Sequence, residues 1–118
     1  MSMYPEYVTA PMRAELTQIG VEDLRTPEQV DAALARPGTT LLVVNSVCGC
    51  AAANARPGVR MALQGGVKPD HVATVFAGVD KPAVDKARAH MMPYPPSSPA
   101  IALFKDGRLV HMLERRHI

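Results

Sequence analysis

The chain has 118 residues, enough for one domain around one core and too few for two. Its 47% hydrophobic content suits a soluble globular protein, and 4% aromatic content with no Trp leaves the core to aliphatic side chains. A formal net charge of +2 gives no electrostatic ground for binding nucleic acid, and no segment approaches the ~18 apolar residues of a membrane span.

Tyr7 to Ile19 carries Val8, Met12, Leu16 and Ile19 at helical spacing, and Gly20 suits its end. Val21 to Arg25 is short and ambiguous. A second helix starts at Thr26-Pro27-Glu28-Gln29, where Thr26 caps, Pro27 fits the first turn and Gln29 completes a capping box. Val30, Ala33 and Leu34 face inward, and Pro37-Gly38 ends the helix. Thr39 to Asn45 is apolar on both faces, hence a central and parallel strand.

After Cys50 comes a helix that Pro57 and Gly58 break or kink before it resumes over Arg60 to Leu63 and stops at Gly65-Gly66. His71 to Ala77 is a second buried strand, and Asp80 is placed to cap a helix from Pro82 to Met91. Pro93 to Pro99 is a constrained loop. Ala100 to Phe104 is the third strand. Asp106-Gly107 signals a hairpin into a fourth, Leu109 to Leu113. Glu114 to Ile118 has no clear pattern. Two parallel crossovers followed by a hairpin predict a mixed α/β sheet of about four strands with helices on both faces, in a single domain over residues 1–118.

The chemistry concentrates at Cys48-Gly49-Cys50, the only two cysteines of the chain. With the strand ending near Val47 and the helix beginning near Gly49, Cys48 sits at a helix N-terminus, where free N–H groups and the helix dipole favour a thiolate. Gly49 leaves the approach to that sulfur open. Cys50 is close enough to attack a mixed disulfide formed at Cys48, which is the resolving role. A ring closed over one residue is strained, which predicts a more oxidising couple than a relaxed Cys-x-x-Cys pair. Asn45 and Ser46 are near, but neither is a base. Arg56 is read as a surface arginine, useful to the thiolate only if its helix turns it inward. Arg108, Arg115 and Arg116 are read as solvated surface.

A structural zinc site needs four ligands, and His71, His90, His111 and His117 are scattered, so no metal is assigned. The competing reading is a soft-metal-binding protein that uses both thiolates, with Met91 or Met92 as helpers for Cu(I). Residues 1–16 hold no apolar signal region, so the cytoplasm is the expected location. There a close cysteine pair cycles or binds metal more often than it forms a static disulfide. Pro99 opens the third strand after Ser98, and by itself a trans bond has the higher base rate.

Strand, cysteine motif, kinked helix, strand, helix, Pro99 and Ala100-Ile101-Ala102-Leu103-Phe104-Lys105-Asp106-Gly107 together resemble the thioredoxin fold, a three-layer sandwich. Val43 to Ala52 with Asn54-Ala55-Arg56-Pro57, the opening Met3-Tyr4-Pro5, and His90 to Pro99 resemble the bacilliredoxin family over nearly the whole chain. The resemblance implies a thiol–disulfide oxidoreductase that removes bacillithiol from oxidised client proteins, with weak disulfide isomerase or reductase activity. Cys48 is then the nucleophile and Cys50 the resolver. Ser98 and a cis Pro99 meet the substrate beside Cys48, and bacillithiol or a similar thiol is co-substrate with no other cofactor. In that fold a final helix normally follows the fourth strand, and this sequence stops at Ile118, so either that helix lies beyond the sequence given or one sheet face is uncovered. A sheet face left uncovered would favour a homodimer.

Overall fold

Why Thr39–Asn45 lies at the centre of the molecule is plain from its neighbours in space. The computed structural model describes residues 4–66 and 68–118, so Met1 and Met3 lie outside the described residues. Its elements run α1 (Glu6–Thr17), β1 (Glu22–Asp23), α2 (Pro27–Leu34) and β2 (Thr39–Asn45), then a π-helical turn (Ala51–Ala55) leading into α3 (Arg56–Leu63). There follow β3 (His71–Phe76), α4 (Lys81–His90), β4 (Ala100–Lys105), β5 (Arg108–Leu113) and a 3-10 turn (Arg115–His117). The strand order is β1-β3-β2-β4-β5.

Because β2 has strands on both sides, its two pleat faces both meet apolar layers. Leu42 and Val44 join Val30, Ala33 and Leu34 of α2 and Ala83, Val84 and Ala87 of α4 in one buried cluster. Val43 turns the other way, onto Leu16 of α1 and Val59 of α3. Helices therefore cover both faces of a mixed sheet.

The local signals became local structure. Thr26 Oγ1 accepts from the Gln29 amide at 3.2 Å, and Gln29 Oε1 accepts from the Thr26 amide at 3.2 Å, so α2 begins on a complete capping box. Asp106 and Gly107 both take positive φ, 51° and 83°, the primed-turn geometry that matches strand twist. At Pro57 the missing N–H and the ring forbid a regular turn. The chain answers with the π-helical widening just before it rather than a clean break.

Three expectations need correction. The sheet has five strands rather than about four, because Glu22 and Asp23 pair with Ala73 and Thr74 on the open edge of β3. Two residues are too few for any periodicity to mark them. Second, β4 is antiparallel to β2, with Ala100 opposite Val44 and Lys105 opposite Thr39, so α4 does not complete a parallel crossover. The nine residues between α4 and β4 have a reach of about 30 Å. They bring the chain back to the end where β2 finishes, which reverses the strand. Third, Asp80 stands at the N-cap of α4 without capping it. Its carboxylate instead accepts from Arg13 Nη2 at 2.7 Å. Arg13, buried, also bonds both carboxylate oxygens of Asp23 and lies 5.1 Å above the Phe76 ring. This charge pins α1 to β1 and to the start of α4.

After β5 the described chain makes only the 3-10 turn. The sheet face bearing Leu41, Ile101 and Leu113 opens beside α3 as an apolar concavity of about 370 Å³, with Ile118 on its wall. No helix among the described residues is long and apolar enough to cross a membrane.

Candidate active site

The apolar run of β2 ends at Asn45, and the chain turns through Ser46 and Val47 into a helix whose first turn contains Gly49 and Cys50. Cys48 thus occupies the capping position of that helix, and its carbonyl accepts from the Ala52 amide at 3.2 Å. Its sulfur fills the role of a cap side chain. The Ser46 hydroxyl donates to Cys48 Sγ at 3.0 Å and accepts from the Cys48 amide at 3.3 Å. Burial pushes the Cys48 thiol up. The Ser46 hydroxyl, the amides of Ala51 and Cys50 and the charge of Arg115 outweigh it together, and the thiol is held below the usual range. Both thiols are free and partly accessible.

Gly49 is exposed, and a Cβ placed on it would meet no atom within 4 Å. No packing demand selects glycine here.

Arg56 is not a surface arginine. Only 4% exposed, it reaches from the start of α3 to the end of β2. Nε donates to Glu15 Oε2 at 2.6 Å, and Nη1 donates to Asn45 Oδ1 at 3.0 Å and to the Ser46 carbonyl at 2.9 Å. Asn45 Oδ1 also accepts from the Ser46 amide at 2.9 Å. Arg56 does not touch the sulfur. It fixes the backbone on either side of Ser46, and Ser46 holds the sulfur. Helical turning brings Arg56 inward, and only the position of α1, which supplies Glu15, shows that a partner waits there.

The Ser98–Pro99 peptide bond is cis, as is Met92–Pro93. Pro99 is buried and Ser98 partly so. Since Ala100 pairs with Val44, the Ser98–Pro99 pair enters the sheet at the end where β2 hands the chain to Cys48. Ser97 adds a link. Its carbonyl accepts from Arg88 Nη1 at 3.1 Å and its hydroxyl from the Arg115 amide at 3.3 Å. Arg115 Nη2 then lies 3.9 Å from Cys50 Sγ. The expected basic group of Arg108, Arg115 and Arg116 is divided by the fold. Arg108 begins β5 at the far end of the sheet, whereas Arg115 stands beside the cysteines. Nothing in the local sequence could have found Arg115, which is 65 positions from Cys50. Ser46 had a readable signal, a hydroxyl two residues before a cysteine at a helix start.

Among the described residues no group of three or more His, Cys, Asp or Glu side chains converges as a metal site. Met91, a candidate helper for a soft metal, is 2% exposed and packed in the core. Met92 is exposed.

Comparison with known proteins gives a consistent result. Residues 4–118 match the family model described as Disulphide isomerase. A bacilliredoxin of Cytophaga hutchinsonii is 62% identical over 116 residues, covering 98% of this chain and 86% of the relative. One of Koribacter versatilis is 52% identical over 117 residues, covering 98% and 81%. Among solved structures, thioredoxin from Trypanosoma brucei brucei superposes with a TM-score of 0.62 at 20% identity, covering 80% of this chain and 77% of that one. A mutant thioredoxin from Halobacterium salinarum gives 0.60 at 16% identity, covering 81% and 78%. At such identities the structural likeness speaks for the fold alone.

Proposed function

The chain belongs to the bacilliredoxin family of thioredoxin-fold thiol–disulfide oxidoreductases, and we propose that it clears mixed disulfides between proteins and a low-molecular-weight thiol, bacillithiol in the first instance. The observation that carries this reading is the Cys48 sulfur, held as a helix cap by the Ser46 hydroxyl and two backbone amides and thereby favoured as a thiolate.

The Cys48 thiolate attacks the small-thiol sulfur of the client's mixed disulfide. A bond forms between Cys48 Sγ and that sulfur, the original S–S bond breaks, and the client cysteine leaves as a thiolate that takes a proton from water. Cys50, as thiolate, then attacks Cys48 Sγ. The Cys48–Cys50 disulfide forms and the small thiol departs as its thiolate. The mixed disulfide gains two electrons, one at the client sulfur and one at the small-thiol sulfur, and the cysteine pair loses two. Two equivalents of a reducing thiol return the pair to the dithiol, leaving as their own disulfide. Gly49 leaves room for the client to approach. Ser98 and the cis Pro99, at the same end of the sheet, offer backbone for an extended client segment. The same first attack on a disulfide within a protein accounts for weak isomerase activity.

The test is the mass of Cys50→Ala protein, beside the unaltered chain and Cys48→Ala, after incubation with a bacillithiolated client. A single bacillithiol adduct on Cys50→Ala, an internal disulfide in the unaltered chain and no reaction for Cys48→Ala are expected. Identical behaviour of the two single variants would overturn the assignment of roles. No adduct on any of the three would overturn the reading as a whole.

A further inference from the structure

Beyond its charge effect on Cys48, the mechanism gives the guanidinium of Arg115 no contact with a substrate. An open concavity of about 470 Å³ borders Cys50 and is lined by Cys50, Ser97, Glu114, Arg115 and Arg116. It holds two guanidinium groups and one carboxylate. Arg116 already faces Glu114, Nη2 to Oε1 at 3.5 Å. Arg115 has no carboxylate partner among the described residues, and its side chain instead reaches Cys50 Sγ, with Nη2 at 3.9 Å.

The position of Arg115 is also built. Its amide is tied to the Ser97 hydroxyl, and the Ser97 carbonyl is tied to Arg88, so the proline loop fixes the backbone from which the Arg115 side chain reaches Cys50. Arg115 touches Cys50 and its charge also acts on Cys48, so a small-thiol adduct extending from the Cys48 sulfur comes within range of its guanidinium.

We propose that Arg115 is a specificity-determining residue that binds a carboxylate of the small thiol and so selects anionic low-molecular-weight thiols over neutral or cationic ones. The inference rests on the oxidoreductase reading above and deepens it. Guanidinium is the suited group, since its planar fork accepts a carboxylate through two parallel hydrogen bonds. The site is open to water, so the gain is one of selectivity rather than tight binding.

The experiment measures rate constants for reduction of three disulfides by the dithiol form of the full chain. Glutathione disulfide is anionic, hydroxyethyl disulfide is neutral and cystamine is cationic. Each charged probe's rate is divided by the neutral probe's rate, which cancels any change in thiolate reactivity common to all three. Unaltered protein is expected to favour the anionic probe over the cationic one. Arg115→Glu is expected to lower that preference by about tenfold and Arg115→Gln by less, and high salt to compress all the ratios. A preference in Arg115→Glu within twofold of the unaltered protein would refute the assignment while leaving the oxidoreductase intact. Failure of the unaltered protein to reduce any of the three would refute the oxidoreductase reading itself, and the selectivity proposal with it.

Discussion

Removing the Ser46 hydroxyl tests the electrostatics of the site more directly than removing a sulfur. Burial raises the Cys48 thiol, and the Ser46 hydroxyl, 3.0 Å from Sγ, is the largest of the effects that lower it. A hydrogen bond to a charged group is worth about 1.5–3 kcal/mol when sheltered. Cys48 is only partly buried and water takes over part of the role, so about 1 kcal/mol is expected for Ser46→Ala. That is about a fivefold loss of thiolate at any pH below the midpoint. The thiolate that remains is more basic and therefore more nucleophilic, by about twofold for a Brønsted coefficient of about 0.4–0.5. Below the midpoint the net rate should fall by about two- to threefold, and above it the variant should be faster by about twofold. The two pH–rate curves must therefore cross. The assay is alkylation by iodoacetamide across pH in a Cys50→Ala background, where one thiol reacts. Superimposed profiles would refute the role of Ser46. A uniform loss at every pH would mean that Ser46 acts by positioning the sulfur rather than by stabilising its charge.

Arg56→Met should cost about 2–4 kcal/mol in chemical denaturation, because it removes a buried charge that pairs with Glu15 and donates to Asn45 Oδ1 and to the Ser46 carbonyl. Arg56→Lys should recover only part of that, since one ammonium cannot serve three acceptors through a planar fork, and a Met variant within about 1 kcal/mol of the parent would sink the argument. Gly49→Ala should change stability by no more than about 0.5 kcal/mol, as no atom lies within reach of the new methyl. It should slow attack on a protein mixed disulfide more than alkylation by a small reagent, and equal effects on both would remove Gly49 from the approach path. The lowered Cys48 pKa also favours the folded reduced protein whenever the thiolate is present. This contribution is complete above the ordinary thiol range near about 8.5 and is lost as pH falls through the lowered value. Urea midpoints of Cys50→Ala protein should therefore rise with pH relative to the double variant lacking both cysteines, and a falling difference would contradict a lowered pKa.

The two charge networks divide the work of the fold differently. Arg13, with Asp23 and Asp80, joins elements far from one another in sequence and lies beside the core aromatic Phe76. Arg56, with Glu15 and Asn45, acts at the joint where β2 becomes a helix, directly beneath the cysteine turn. Both are arginines on helices with ordinary surface-like sequence surroundings. Neither could be told from a solvated residue until its carboxylate partners were in place.

What could be read from the sequence is what a few neighbouring residues determine. The Thr26 and Gln29 capping box, the Asp106-Gly107 turn, the limits of β2 and the disruption at Pro57 depend on backbone preferences and on partners three or four positions away. So does the place of Cys48 between a buried strand and a helix start. The tertiary structure alone decided the direction of β4, the pairing of β1 with β3, the diversion of Asp80 from its cap to Arg13, and the burial of Arg56. It also decided that Arg115 meets Cys50. In each of these the partner lies many residues away along the chain. Hydrophobic pattern specifies which face is buried but not against which distant segment, and a charge gains a fixed role only after packing has brought its counterpart within a few ångströms.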